Sequence, residues 1–199
     1  MKTWKCHILA LNLTFFTIGC AGPQTYLLRV GIDPGLSPSL PQDGKTLSVS
    51  LAPFQDLRTE NELGTRTRQG IKDTYLPEGS LSTVFTDRIE EWFSNAGFSV
   101  RRIPSWDFTP DSLKGFSTDL VVGGKIDEFK VNTTSKFANH TTSVKCLFHF
   151  VIGNTRDRSI ITQKIESSSE ATSASSSLHI VEKVISDALS QGLSQVRLP

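Results

Sequence analysis

No sign of charge dominates this sequence. Lys and Arg total 21 against 20 Asp and Glu, a formal charge of +1. The basic surplus that nucleic-acid binders spend on phosphate is therefore missing, and no nucleic-acid partner is expected. Cysteine is scarce: Cys6, Cys20 and Cys146 cannot pair off into a disulfide scaffold. No apolar stretch reaches the ~20 residues that a permanent membrane helix needs. The motifs of cofactor and nucleophile chemistry are missing too, with no G-x-S-x-G, G-x-G-x-x-G, P-loop, H-E-x-x-H or C-x-x-C. Cys146 and His149 differ by an odd number, so on a regular strand they point to opposite faces and cannot share a metal. Neither metal nor cofactor is expected.

What is present is enough for one medium domain. The chain has 199 residues, with 37% hydrophobic and 21% charged, a balance that supports a packed core rather than disorder.

The first residues read as an export signal. Lys2 and Lys5 form a short positive region, an apolar stretch runs from Ile8 to Ile18, and the small residue Gly19 precedes Cys20. Thr17-Ile18-Gly19-Cys20 resembles a bacterial lipobox, in which a peptidase cuts before a cysteine that carries lipid. Thr17 departs from that pattern, which prefers Leu there. The expectation is a signal peptide over residues 1–19 and acylation of Cys20, giving membrane attachment through a lipid anchor. Two or more chains hold stably where one is marginal. Ala21, in place of the Asp that often retains such proteins in the inner membrane, favours the outer membrane, with the domain facing the periplasm.

Residues 20–45 are dense in Gly and Pro and read as a lipidated tether, interrupted by an apolar run at Tyr26–Val30 that could form a short edge strand. The domain is expected over residues 46–199. Leu47, Val49 and Leu51 alternate as a half-buried strand. Residues 55–79 are polar and read as a long loop. Ser80 is placed to cap a helix through Asn95, with Gly97 at its end. Strands follow at 98–103, 119–131, 142–152 and 159–169, the last two joined by a tight turn. On the strand 142–152, Val144, Cys146, Phe148 and Phe150 share the inward parity, and Cys146 is expected as a small buried hydrophobe. A second amphipathic helix, from Leu178, should end near Gly192, before a frayed tail. The fold class is α+β: a two-layer sandwich of a mostly antiparallel sheet with two helices on one face.

Four residues stand out as a candidate partner surface. Asp56 and Arg58 lie two apart after the first strand, where they serve either a ligand site or a local ion pair. Trp106 and Phe108 lie in a loop flanked by Pro104 and Pro110, and exposed aromatics are what interfaces use. No residue is singled out as catalytic.

The run Val49-Ser50-Leu51-Ala52-Pro53-Phe54-Gln55-Asp56-Leu57-Arg58, the helix closing on Ala96-Gly97-Phe98, and Asp119–Ile126 with Phe129, together with the lipobox, resemble the YajG-type bacterial lipoproteins. The resemblance spans roughly Leu47 to Leu193. It implies an α+β periplasmic domain of a non-enzymatic envelope lipoprotein, a binding or envelope-assembly module with a protein partner. It assigns no catalytic residues, and Asp56 and Arg58 match its pattern without a role. The rival expectations are an auxiliary subunit of a transport or secretion machine, and a hydrolase with an unrecognised site.

Overall fold

The computed structural model describes residues 22–38, 47–136, 138–175 and 177–199. The signal peptide and Cys20 lie outside the described residues. Among the described residues nine strands and two α-helices follow in the order β1 (Thr25–Leu28), β2 (Ser48–Leu51), β3 (Gln55–Asp56), β4 (Gly64–Arg68), β5 (Ile71–Pro77), α1 (Leu81–Asn95), β6 (Ser99–Arg102), β7 (Leu120–Lys136), β8 (Asn139–Asn154), β9 (Ile160–Ser173) and α2 (Leu178–Leu193), with a short 3-10 turn at Ser112–Gly115.

Local sequence accounts for the limits of α1. The Ser80 hydroxyl accepts from the Thr83 N–H at 3.1 Å, satisfying one of the donors a helix start leaves open. At the other end Gly97 adopts φ 84°, which lets Gly97 N–H reach Ser94 O and Phe98 N–H reach Phe93 O. That paired closure needs a residue without Cβ strain.

β7 is the spine of the sheet. β8 runs antiparallel along one of its edges from end to end, and β9 continues outward from β8. The other edge is shared: β2 pairs with Leu120–Val122, β3 with Lys125–Ile126, and β4 with Val131–Ser135, all parallel to β7. Beyond these lie β6, paired with β2, and β5 and β1, paired outward from β4. The fold is thus α+β, with the long pairings antiparallel and short parallel ones on the shared edge. Parallel pairing arises there because β2 and β4 reach β7 through long connections instead of hairpins. The sheet curls, since α2 touches both β1 and β9, which lie on opposite margins.

One irregularity keeps the spine amphipathic. Between Ile126 and Glu128 an extra residue, Asp127, bulges out, so Ile126 and then Phe129 and Val131 all face inward. Both helices lie on that inner face and share one core with it. Phe85, Ile89, Trp92 and Phe93 of α1 and Val184, Ile185 and Leu189 of α2 pack with Phe54, Phe148 and Phe150. Phe85 meets Phe54 at 5.1 Å and Phe148 at 5.2 Å between ring centroids, edge-on or tilted as aromatic pairs prefer.

Three expectations need correction. Residues 55–79 are not a loop but contain β3 and the β4–β5 hairpin, turned by Gln69 (φ 46°) and Gly70 (φ 81°). Two central residues at positive φ make the tight turn that suits a two-residue hairpin. Nor do residues 22–38 hang free as a tether: β1 pairs with β5, and Leu28, Val30, Ile32 and Pro38 are buried. The third is the C-terminal segment, which is docked rather than frayed, with Arg197 and the Gln163 side chain exchanging two hydrogen bonds. α2 itself ends at Leu193, beside Gly192 as the sequence suggests, and a Cβ added at Gly192 would lie 2.9 Å from Ser167 Oγ and 3.1 Å from the Phe148 ring.

Candidate functional site

Arg58 is spent on structure. Its Nε and Nη2 donate to the two Asp56 oxygens at 2.9 and 3.0 Å, and its Nη1 donates to the carbonyls of Glu62 and Phe129. Only 7% of the side chain is exposed. The guanidinium thus ties β3 and the chain before β4 onto β7, at the place where the spine's edge passes from one partner strand to the next. The fork geometry of Arg suits such a clamp and leaves it poorly placed to seize a ligand.

Trp106 is buried, not exposed: 5% of it is accessible. Together with Leu113 it covers Val121 and Val151 on the outer face of the sheet, making a small second core. Its indole N–H donates to Ser112 Oγ at 2.9 Å. Two glycines make the room. A Cβ on Gly153 would stand 2.6 Å from Leu113 and 3.0 Å from Trp106, and one on Gly123 would stand 3.0 Å from Phe108. The prolines that forbid regular structure here therefore do not forbid burial. Phe108 is only half-buried and is held at φ 59°, with its ring stacked edge-on to Trp106 at 5.0 Å and Lys125 Nζ 6.0 Å from its centre. Positive φ on a bulky residue is a strained conformation.

Cys146 is fully buried, and burial pushes its thiol up to about 12. A thiol held neutral in this way is a poor nucleophile. On the opposite face His149 Nδ1 lies 2.7 Å from Asp127 Oδ2, the bulged residue. Asp119 is held below the ordinary carboxylate range, first by the Ser48 N–H and then by the Ser48 hydroxyl, which fasten the start of β7 to β2. Among the described residues no group of three or more His, Cys, Asp or Glu could hold a metal.

The feature that sequence reasoning missed lies at the other end of the sheet, where the inner face runs past the helices. There the apolar rows of β7 and β8 turn polar. Val131 and Val144 are followed along their rows by Thr133 and Thr142, then by Ser135 and His140. Tyr75 hydroxyl, Thr133 and Thr142 form a buried chain of hydrogen bonds at 3.1 and 3.0 Å. Arg66 and Arg68 alternate on β4, so they share the same face. With Gln69, Ser135, Lys136 and His140 they line a cavity of about 590 Å³. Beneath it Asp73 is fully buried. Burial alone pushes its carboxyl up, yet the Arg68 Nε donor at 2.9 Å and the Gln24 N–H at 2.9 Å overcome this and hold it below the usual range. Arg68 Nη2 also donates to Gly22 O at 3.3 Å. The available signal was the alternation Thr65-Arg66-Thr67-Arg68 before Gln69-Gly70, a strand whose inward side chains are cations.

No family model matches the chain, and no curated protein matches it in sequence. Solved structures of similar shape include a DUF330 protein of Xanthomonas campestris, with TM-score 0.47 and 13% identity over 86% of this chain and 94% of that one. A hypothetical protein of Chlamydia trachomatis has TM-score 0.46 and 14% identity over 76% and 93%. A lipoprotein of Neisseria meningitidis has TM-score 0.39 and 13% identity over 75% and 99%. These likenesses are distant, and no activity or partner passes from them to this chain.

Proposed function

We propose that this chain is a bacterial envelope lipoprotein of the YajG type, exported by residues 1–19, acylated at Cys20 and held on the periplasmic side of the outer membrane. It works as a binding module for an envelope assembly, without turnover chemistry. One observation carries the reading: the pattern of two lysines, an apolar run and Gly19-Cys20. The fold bears on it as well. Gly22 already accepts a hydrogen bond from Arg68, so a lipid on Cys20 would be joined to the domain by two residues, at most ~7 Å of chain. The groups that catalysis would recruit have other work, with Arg58 bound to Asp56 and the Cys146 thiol buried. The protein-partner surface is assigned to Phe108, the half-buried aromatic held in a strained conformation, with Trp106 supporting it from beneath.

Labelling with radioactive palmitate tests the anchor. The wild type should incorporate label and Cys20→Ser should not; equal labelling of the two would contradict the proposal.

A further inference from the structure

β9 is an open margin of the sheet. Its 14 residues, about 46 Å of strand, pair with β8 on one side only. The hairpin bond from Asn154 N–H to Ser159 O sets the phase of that ladder. The odd residues from Ile161 to Ser173 therefore give both backbone groups to β8, and the even ones from Ile160 to Thr172 aim theirs outward. Among the described residues one outward group is taken, the Glu166 carbonyl, which accepts from Gln195 Nε2 at 3.1 Å. The margins at β1 and β6 are short, four residues each, and the Arg29 N–H just after β1 is held by Glu182. Brevity, proline, bulges and inward-pointing charge keep natural edges from pairing. β9 has none of the four.

Charge selects the occupant. The ionic side chains of β9 are Lys164, Glu166 and Glu170, all on the outer face. Glu166 meets Lys145 of β8 at 3.5 Å. Lys164 and Glu170 are exposed and have no ion partner among the described residues. Six residues apart, about 20 Å, they cannot meet within one strand. They meet across a two-fold axis. In an antiparallel pairing of two β9 strands, Ser167 opposite Ser167 puts Lys164 directly across from Glu170 at two symmetric positions. That register runs from Ile161 to Ser173, and it sets Ile161, 38% exposed in the single chain, opposite Ser173 and beside Ala171. Glu166 falls opposite Ser168, and its carbonyl keeps a second lone pair for that N–H. Centring the pair on Lys164, Glu166 or Glu170 would instead set like charges face to face, and centring it on Ser168 would set Glu166 against Glu170.

We propose that β9 pairs antiparallel with β9 of a second copy of this chain, making a two-fold dimer with one sheet continuous through both. A two-fold axis holds both Gly22 residues at the same height along it, so lipid anchors on the two copies can enter one membrane. The pairing itself does not depend on acylation.

Sedimentation velocity of the full-length protein in an uncharged detergent, across a concentration series, tests it. The wild type should show monomer and dimer in exchange. Lys164→Glu and, separately, Glu170→Lys should each raise the dimer dissociation constant at least about tenfold, because each sets like charges opposite one another at two positions. The double variant, Lys164→Glu with Glu170→Lys, should return it to within about threefold of the wild type, as a coupled pair requires. Both side chains are exposed, so the substitutions leave folding intact. A micelle that held two chains by their lipid alone would be indifferent to these charges. A wild type that stays monomeric throughout would overturn the proposal, as would a dimer that the single variants leave unchanged. Weakening by both single variants without recovery in the double variant would overturn the Lys164–Glu170 register.

Discussion

At the scale of single residues, the same side-chain type serves opposite ends according to what surrounds it. Arg58 is clamped by Asp56 and two backbone carbonyls and fixes a junction, whereas Arg68 neutralises the buried Asp73 at the wall of a cavity. Trp106 and Phe108 lie two apart in one loop, yet one is core and the other rim. Trp106→Ala should lower stability by about 3–5 kcal/mol, the cost of emptying an aromatic site. Phe108 is half-buried, so Phe108→Ala should cost less than about 1.5 kcal/mol. It should instead reduce the recovery of crosslinked partner protein. Thermal melts of the two variants, with crosslinking in cells, check both halves. A Trp106→Ala protein that melts like the wild type would remove the second core.

At the scale of elements, what the sequence disclosed followed from which faces were apolar. The helix from Ser80 was legible to the residue, because its cap and its apolar stripe agreed with the tertiary environment. The parity of Val144, Cys146, Phe148 and Phe150 was legible for the same reason, all four being buried. Phe148→Ala should therefore destabilise by about 3–5 kcal/mol. Lys145→Ala should cost about 1 kcal/mol or less, since its pairs with Glu128 and Glu166 are exposed. The reverse order in denaturant melts would mean that β8 is misregistered by one residue. The β4–β5 hairpin was hidden because Arg66, Arg68 and Asp73 are among its inward residues, so no regular apolar alternation marks it. β1 showed only as a short apolar run, since its pairing with β5 is a contact across almost fifty residues. The bulge at Asp127 breaks the fixed period of two, and the glycine pair shortly before it marks a close backbone approach. A Cβ on Gly124 would stand 2.1 Å from His149 O. Among the candidate site residues, the Asp56–Arg58 ion pair was readable from spacing, but the cationic cavity was not, because it joins β4 to the far ends of β7 and β8.

At the scale of the whole molecule, the decisive feature is how soon after Cys20 the folded domain begins. A free tether of about 25 residues would reach ~80 Å and let the domain stand off the membrane. The structure instead places β1 in the sheet from Thr25 and fastens Gly22 to Arg68, so an acylated Cys20 leaves the domain no slack. The Phe108 rim lies in a different part of the molecule from Gly22, on the outer face of the sheet. The most direct test is neutron reflectometry of the full-length acylated protein on a supported bilayer containing phosphatidylglycerol. The account predicts protein density beginning within ~10 Å of the headgroups, since two residues span at most ~7 Å. A hydrated gap of ~30 Å or more between headgroups and domain would contradict it.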